Sequence, residues 1–142
     1  MSLSHKSQSP EVRRGQKKSL YARIFSEMIQ SLVADEPDIA QAFVTRVDFS
    51  KDGGTCYVYF SAYLGATQEE KEQVYNTARQ RLVLYKPSMR QVLSKKLGGR
   101  YVPHIRFMFD AQREKELRIN TLLDTVSGDT YELDDSGSPQ DE

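Results

Sequence analysis

Apolar residues recur three and four positions apart in the first third of the chain, from Gln16 onward. This spacing places them on one face of a helix. The segment ends at "ADEPD", where Pro37 cannot continue a helix. The pattern therefore predicts an amphipathic helix whose buried stripe is Leu20, Tyr21, Ile24, Phe25, Met28, Ile29 and Leu32.

The pattern then changes to the two-residue alternation of β-strands. Residues 42–49 and 55–64 are rich in β-branched and aromatic residues, and they flank "SKDGG", whose Asp52-Gly53 pair is a strong hairpin signal. In the second run, apolar side chains alternate with a tyrosine-rich set. This alternation predicts an antiparallel sheet with helices packed on one side.

A second helical pattern opens at Thr67, which has the spacing of a capping box with Glu70. Pro87 interrupts it, because proline has no N–H and its ring disfavours helical geometry at Lys86. We therefore predict that this helix ends at the proline.

A third, short helix is predicted to follow at once, with Ser88 as its N-cap and Gly98-Gly99 at its end. Alternation then returns, with Ile105, Phe107 and Phe109 on one side of a third strand. The flanking segments are polar. We predict a disordered basic arm at residues 1–15, a folded domain at residues 16–126 and a disordered acidic tail at residues 127–142.

Composition narrows the class of protein. With 142 residues, 38% of them hydrophobic and 28% charged, the chain fits one globular domain with short tails. No run approaches the ~20 apolar residues of a membrane span, and the N-terminal sequence lacks the apolar segment of a secretory signal. The lone Cys56 cannot form an internal disulfide. We expect a monomeric cytoplasmic protein without membrane contact.

Charge is balanced in number but not in position. Lys and Arg total 20, as do Asp and Glu, yet residues 79–106 contain eight Lys and Arg and no Asp or Glu. Residues 111–142 carry three basic and nine acidic residues. A basic body with an acidic tail is typical of proteins with nucleic-acid partners, and the alternative is an ordinary solvated helix face.

Residues suited to catalysis or metal binding are not grouped in the sequence. His5 and His104 are far apart, and the alternation places Cys56 among buried residues. There is no nucleophile with a base, no carboxylate pair, and no phosphate-cradling loop, since "LGGR" is too short and suits a helix end. We therefore predict that the protein is not an enzyme and uses no metal or cofactor.

The predicted order, α-β-β-α-(kink)-α-β, is that of a type II KH domain, an α+β RNA-binding fold with a three-stranded sheet and helices packed on one face. Over roughly residues 16–126 the chain resembles ribosome-binding factor A, a bacterial family of assembly factors for the small ribosomal subunit. The resemblance is carried by "FVTRVDFSKD", "YVYFSAYL", "SMRQVLSKKLGGRYVPHIRFMFD" and "ELRINTLL". Its most specific residues are Val44, Val47, Ser50, Asp52, Val102, Pro103, Phe107, Asp110, Arg118 and Leu122.

In KH domains a Gly-x-x-Gly loop at the break between two helices lets the backbone approach phosphates. The family replaces this loop with an Ala-x-Gly kink, and the matching positions here are Tyr85, Lys86 and Pro87. We expect proline to supply the kink and side chains, rather than amides, to contact RNA. Charge and resemblance together predict RNA binding by Arg79, Arg81, Lys86, Arg90, Lys95, Lys96, Arg100 and Arg106, with Arg13, Arg14, Lys17 and Lys18 from the N-terminal arm.

Two features each allow two interpretations. Tyr57, Tyr59 and Tyr63 either stack on bases or, as we favour, cover the sheet and pair across strands. The acidic tail either occupies the basic surface when RNA is absent or only increases solubility.

The resemblance implies a ribosome maturation factor. Such a protein would bind the immature 30S small ribosomal subunit and assist the late processing and folding of 16S rRNA near the decoding region, without catalysis. A different class remains as the alternative: a protein-interaction module that docks an acidic protein partner through its apolar helices and basic patch.

Overall fold

The secondary-structure elements follow the predicted order, as seen in a computed structural model that describes residues 10–99 and 101–120. They are α1 (Pro10–Leu32), β1 (Ala42–Phe49), β2 (Thr55–Ala62), α2 (Gln68–Leu82), α3 (Lys86–Lys96) and β3 (His104–Phe109), with 3₁₀ turns at Ile39–Gln41 and Val83–Tyr85. The predicted α+β class is confirmed. Residues 111–120 form a further helix, α4, in a separate compact unit, where Gln112 Nε2 donates to Glu116 Oε2 at 3.3 Å.

The sheet has the order β1-β2-β3, with β2 in the centre. β1 and β2 are antiparallel, as predicted for the hairpin, but β3 runs parallel to β2. The predicted antiparallel pairing therefore holds for β1 and β2 but does not extend to β3. The chain leaves one end of β2 and crosses over through α2 and α3, so it re-enters the sheet in the same direction.

The turn between β1 and β2 is fixed by its own polar groups. Gly53 adopts a φ of 73°, in the left-handed region that glycine tolerates. The Asp52 carboxylate accepts hydrogen bonds from Gly54 N and Ser50 Oγ, both at 2.8 Å. Ser50 N in turn donates to Thr55 O at 2.9 Å. The hairpin predicted from Asp52-Gly53 is confirmed.

The hydrophobic core lies between the sheet and helices α1, α2 and α3. Each of these helices contributes a fully buried side chain: Phe25 from α1, Leu82 from α2 and Leu93 from α3. The central strand is the most deeply buried, as its alternation predicted, with the apolar side chains of Cys56, Val58 and Phe60 inaccessible to water. Burial raises the pKa of the Cys56 thiol to about 12.

Helix α1 begins earlier than predicted, at Pro10 rather than near Gln16. Proline suits a first helical turn, where N–H groups have no partner within the helix, and the acidic Glu11 in that turn interacts favourably with the helix dipole. Residues 10–15, predicted as part of a disordered arm, are therefore helical. Residues 1–9 of the arm and the acidic tail lie outside the described residues.

The break between α2 and α3 lies before Pro87, not at it. Helix α2 ends at Leu82, and Lys86 is already helical with φ −54° and ψ −45°, so the expectation that proline would exclude Lys86 from helical geometry was wrong. Pro87 occupies the first turn of α3, where a missing N–H is tolerated. The predicted N-cap was also wrong: Tyr85 occupies that position, and no side chain caps it.

Proline nevertheless explains why the two helices are not one. Pro87 has no N–H to donate to the carbonyl of Val83, four residues earlier. That carbonyl instead accepts from Lys86 N, so the chain tightens into the 3₁₀ turn Val83–Tyr85. The kink is therefore built two residues earlier than predicted from Tyr85, Lys86 and Pro87, and Tyr85 belongs to both.

Asp110, at the end of β3, connects the sheet's opposite edges through a buried carboxylate that is only 2% exposed. Its Oδ2 accepts from Thr45 Oγ1 at 2.7 Å and from Arg46 Nε at 3.2 Å. The register of β1 against β2 shifts between Val44 and Arg46, a β-bulge that places both donors beside the same carboxylate.

Candidate nucleic-acid interface

Three of the predicted RNA-binding cations are coupled electrostatically, and we call them the break-site cations: Lys86 at the start of α3, and Arg79 of α2 and Arg106 of β3, whose positive charges act on it. The Lys86 ammonium lies 5.4 Å from the centre of the Phe107 ring. Burial lowers the pKa of Lys86, and the positive charges of Arg79 and Arg106 lower it further. Mutual repulsion within such a cluster is relieved by an anion, so this arrangement favours a phosphate ligand.

Arg81, also predicted to bind RNA, is held in an ion pair instead. Its Nε and Nη2 donate to Glu36 Oε1 and Oε2 at 2.9 and 3.0 Å, a bidentate contact. The Tyr85 hydroxyl donates to Glu36 Oε2 at 2.7 Å. Glu36, in the loop after α1, thus fastens the last turn of α2 through Arg81 and the end of the 3₁₀ turn through Tyr85, and we call this set of contacts the Glu36 clamp. The clamp positions the break and occupies the Arg81 guanidinium.

Arg90 has a structural role. Its Nη2 donates to Val102 O at 2.8 Å, and its Nε lies 3.4 Å from Pro103 O. These bonds fasten α3 to the segment that leads into β3. Replacing Arg90 would therefore disturb the approach to β3 as well as remove a charge.

Lys95 and Lys96 are exposed in the last turn of α3. Lys95 follows Lys86 by nine positions, which on an α-helix is half a turn round the axis and about 13.5 Å along it. The predicted cations of α3 therefore do not form one surface. Gly98 and Gly99, with φ of 73° and 77°, end the helix as predicted. Arg100 lies outside the described residues.

The four predicted N-terminal cations form one bank of a groove, which we call the basic groove. Its other bank is residues 48–53 of β1 and the hairpin turn, and the volume is about 580 Å³. Lys18 pairs with Asp48 Oδ1 at 3.0 Å. The Lys17 ammonium lies 4.4 Å from the centre of the Phe49 ring. These cations thus line a formed site and not a flexible arm.

The tyrosines of the open sheet face have partners within the protein. The guanidinium carbon of Arg46 lies 3.7 Å from the centre of the Tyr59 ring, a cation–π contact. Tyr63 packs on Phe43 with ring centres 4.5 Å apart. Tyr57 pairs in register with Asp48 and Arg106. These contacts support cross-strand covering of the sheet, the interpretation favoured from the sequence.

Two residues important to these sites were not predicted from the sequence. The charge pattern does not indicate Lys51 as an RNA-binding residue, because residues 35–66 are acidic overall. Its position directly before the Asp52-Gly53 turn is the signal that could have found it. The sequence pattern marks Glu36 only as part of a helix end, because its partner Arg81 is 45 positions away. Among the described residues, no three His, Cys, Asp or Glu side chains are grouped to hold a metal, and no helix has the length and apolarity to cross a membrane.

The Glu36 clamp predicts an acid-sensitive stability. Hydrogen bonds from Arg81 and then Tyr85 lower the pKa of Glu36 below its usual value. A carboxylate with a lowered pKa in the folded state stabilises the fold above its unfolded-state pKa, and this contribution is lost as pH falls through the lowered value. We expect Glu36→Gln to reduce the melting temperature near neutral pH, with the deficit shrinking between about pH 5 and about pH 3.

The matched control for this clamp is Glu27→Gln, which removes an exposed carboxylate of α1. Its melting temperature should follow that of the unmodified protein across the same pH range. A deficit for Glu36→Gln that stays constant down to about pH 3 would show that the charge of Glu36 is not what holds the break.

Comparison with known proteins identifies the family of this chain. The sequence model of the family "Ribosome-binding factor A" matches residues 13–123. A protein of that name from Thermosipho melanesiensis is 29% identical over 129 residues, covering 89% of this chain and 98% of the relative. Another, from Alteromonas mediterranea, is 29% identical over 122 residues, covering 85% and 86%.

A solved structure gives the same fold. The crystal structure of ribosome-binding factor A from Thermus thermophilus matches with a TM-score of 0.53 at 22% identity, over 67% of this chain and 93% of that one. The family match extends from the basic groove through the break-site cations and Asp110. The chain belongs to the ribosome-binding factor A family.

Proposed function

We propose that this protein is a monomeric, cytoplasmic ribosome maturation factor that binds the immature 30S subunit and assists late folding and processing of 16S rRNA. It performs no chemistry in this role. The relatives that it matches are named for ribosome binding, which supports the proposal. The observation that carries the proposed site is that Arg79 and Arg106, both positive, act on Lys86 at the start of α3 just after the helix break.

The physical basis of the proposal is differential binding. A protein without catalytic groups can change an RNA folding equilibrium only by binding one conformation more tightly than another. A rigid break, held by the Glu36 clamp, presents the break-site cations in one arrangement. An rRNA conformation whose phosphates match that arrangement is stabilised, and a mature conformation that does not match it releases the protein.

Sedimentation with small subunits tests the proposal. We expect the purified protein to cosediment with immature 30S particles at low salt and to dissociate as salt rises, because each phosphate contact releases counterions. Ribonuclease treatment of the particles should abolish the association. Association that survives ribonuclease and high salt would contradict the proposal and support docking to an acidic protein partner instead.

A further inference from the structure

We propose that the basic groove is a second, preformed binding site for an RNA backbone, separate from the helix break. That the ligand is RNA rests on the proposed function. The inference adds a binding surface whose two banks come from different parts of the chain. One bank is the first half of α1, and the other is the end of β1 with the hairpin turn. The RNA would therefore be held at two places on one protein.

The lining of the groove is predominantly basic. Five cations line it against two carboxylates, giving a net charge of +3. The cations of α1 extend over about 7.5 Å of the helix axis, and Lys51 faces them from the hairpin. The cationic lining consists of Arg13, Arg14, Lys17, Lys18 and Lys51.

Both carboxylates of the groove are already used by the protein. The Asp52 carboxylate holds the hairpin turn through Gly54 N and Ser50 Oγ. The Asp48 Oδ1 accepts from Phe49 N at 2.9 Å and pairs with Lys18. Because the two carboxylates are engaged in these contacts and are outnumbered by the cations, the groove keeps a positive potential toward solvent.

Lys17 is held in place by aromatic rings. Its ammonium lies 4.4 Å from the centre of the Phe49 ring and 5.9 Å from that of Tyr21. The two rings meet edge to face, with centres 4.9 Å apart, so the lysine rests on a rigid aromatic base. A positioned cation loses less conformational entropy when it binds a phosphate than a freely moving one does.

The groove suits RNA better than an acidic protein segment. Protein interfaces draw most of their affinity from apolar and aromatic anchors that enter pockets. Here the aromatic base of the groove is covered by Lys17, and Tyr21 is only 4% exposed. What remains accessible is a row of guanidinium and ammonium groups, which match the regularly spaced phosphates of a nucleic-acid backbone.

The test compares two triple variants of the full chain. The groove variant carries Arg14→Gln, Lys17→Gln and Lys51→Gln, and the matched control carries Arg23→Gln, Lys71→Gln and Lys115→Gln, which removes equal charge elsewhere. Affinity for a fluorescein-labelled uridine RNA of about 20 nucleotides is measured by anisotropy from about 0.05 to about 0.2 M salt. Circular dichroism establishes that both variants are folded.

We expect the groove variant to reduce the slope of log affinity against log salt by about 2, since each lost single-strand contact removes about 0.7. The control should keep the slope of the unmodified protein. Equal slopes for both variants would overturn the groove inference, as would displacement of the RNA by a polyglutamate of equal charge at equal concentration. Failure of the unmodified protein to sediment with 30S particles would instead overturn the proposed function, whatever the oligonucleotide shows.

Discussion

Neutralising the break-site cations together, as Arg79→Gln, Lys86→Gln and Arg106→Gln, should weaken binding to immature 30S particles about 100-fold at about 0.15 M salt. Each lost phosphate contact lowers the slope of log affinity against log salt by about 0.7 to 0.9, so three contacts lower it by about 2 to 3. The electrostatic contribution to binding vanishes near about 1 M salt. Extrapolating the change in slope from there to about 0.15 M salt gives the loss of affinity of about 100-fold. Measuring the affinity of the particles for labelled protein at a series of salt concentrations gives both the slope and the loss of affinity.

The effect should be specific to the helix break. The control triple of Arg23→Gln, Lys71→Gln and Lys115→Gln changes net charge equally but leaves the break unaltered, and it should bind within about threefold of the unmodified protein. If the break triple and the control triple lose affinity equally, the particle is responding to net charge alone, and the break is not the site.

Asp110→Ala should reduce the free energy of unfolding by about 2 to 3 kcal/mol. The carboxylate is 2% exposed and serves both Thr45 and Arg46, so its removal takes an acceptor from each and leaves Thr45 Oγ1 the longer contact with Tyr59 O at 3.2 Å. The loss stays below the range for a fully buried ion pair because the Arg46 side chain is 40% exposed and can turn to water. Urea unfolding at neutral pH measures the change.

Two companion variants define the cause. Asp110→Asn keeps an acceptor for Thr45 and should lose about half as much stability as Asp110→Ala. Asp48→Ala removes a carboxylate that is 41% exposed, so it should reduce the free energy of unfolding by less than about 1 kcal/mol. A free energy of unfolding for Asp110→Ala within about 0.5 kcal/mol of that of the unmodified protein would contradict the role of Asp110 as the link between β1 and β3.

Features governed by neighbouring residues were predictable from the sequence. Thr67 and Glu70 form the expected capping box, with Glu70 N donating to Thr67 Oγ1 and Thr67 N to Glu70 Oε1, each at 3.1 Å. The hairpin at Asp52-Gly53 and the glycines that end α3 belong to the same class. In each case the determining contacts lie within a few residues, so a local pattern contains the whole cause.

Features that depend on distant residues were not predictable in this way. The direction of β3 depends on how the helical crossover returns to the sheet. Arg81 was assigned to RNA because its sequence neighbours are basic, but the fold brings Glu36 to it from 45 positions away. The predicted position of the break differs from the observed one for another reason. Residues before proline prefer extended geometry, but this preference is a bias that a first helical turn can override.

The most direct test of the account places a radical source beside the helix break. Iron-EDTA is attached through Ser88→Cys, an exposed position two residues after Lys86 in the first turn of α3, or through Thr77→Cys, an exposed position of α2 nine residues before Lys86. The buried Cys56, whose pKa is raised to about 12, should not take up the reagent. The account predicts strong, localised cleavage of 16S rRNA in immature 30S particles from position 88 and weak cleavage from position 77. Equal cleavage from both positions, or none from position 88, would contradict it.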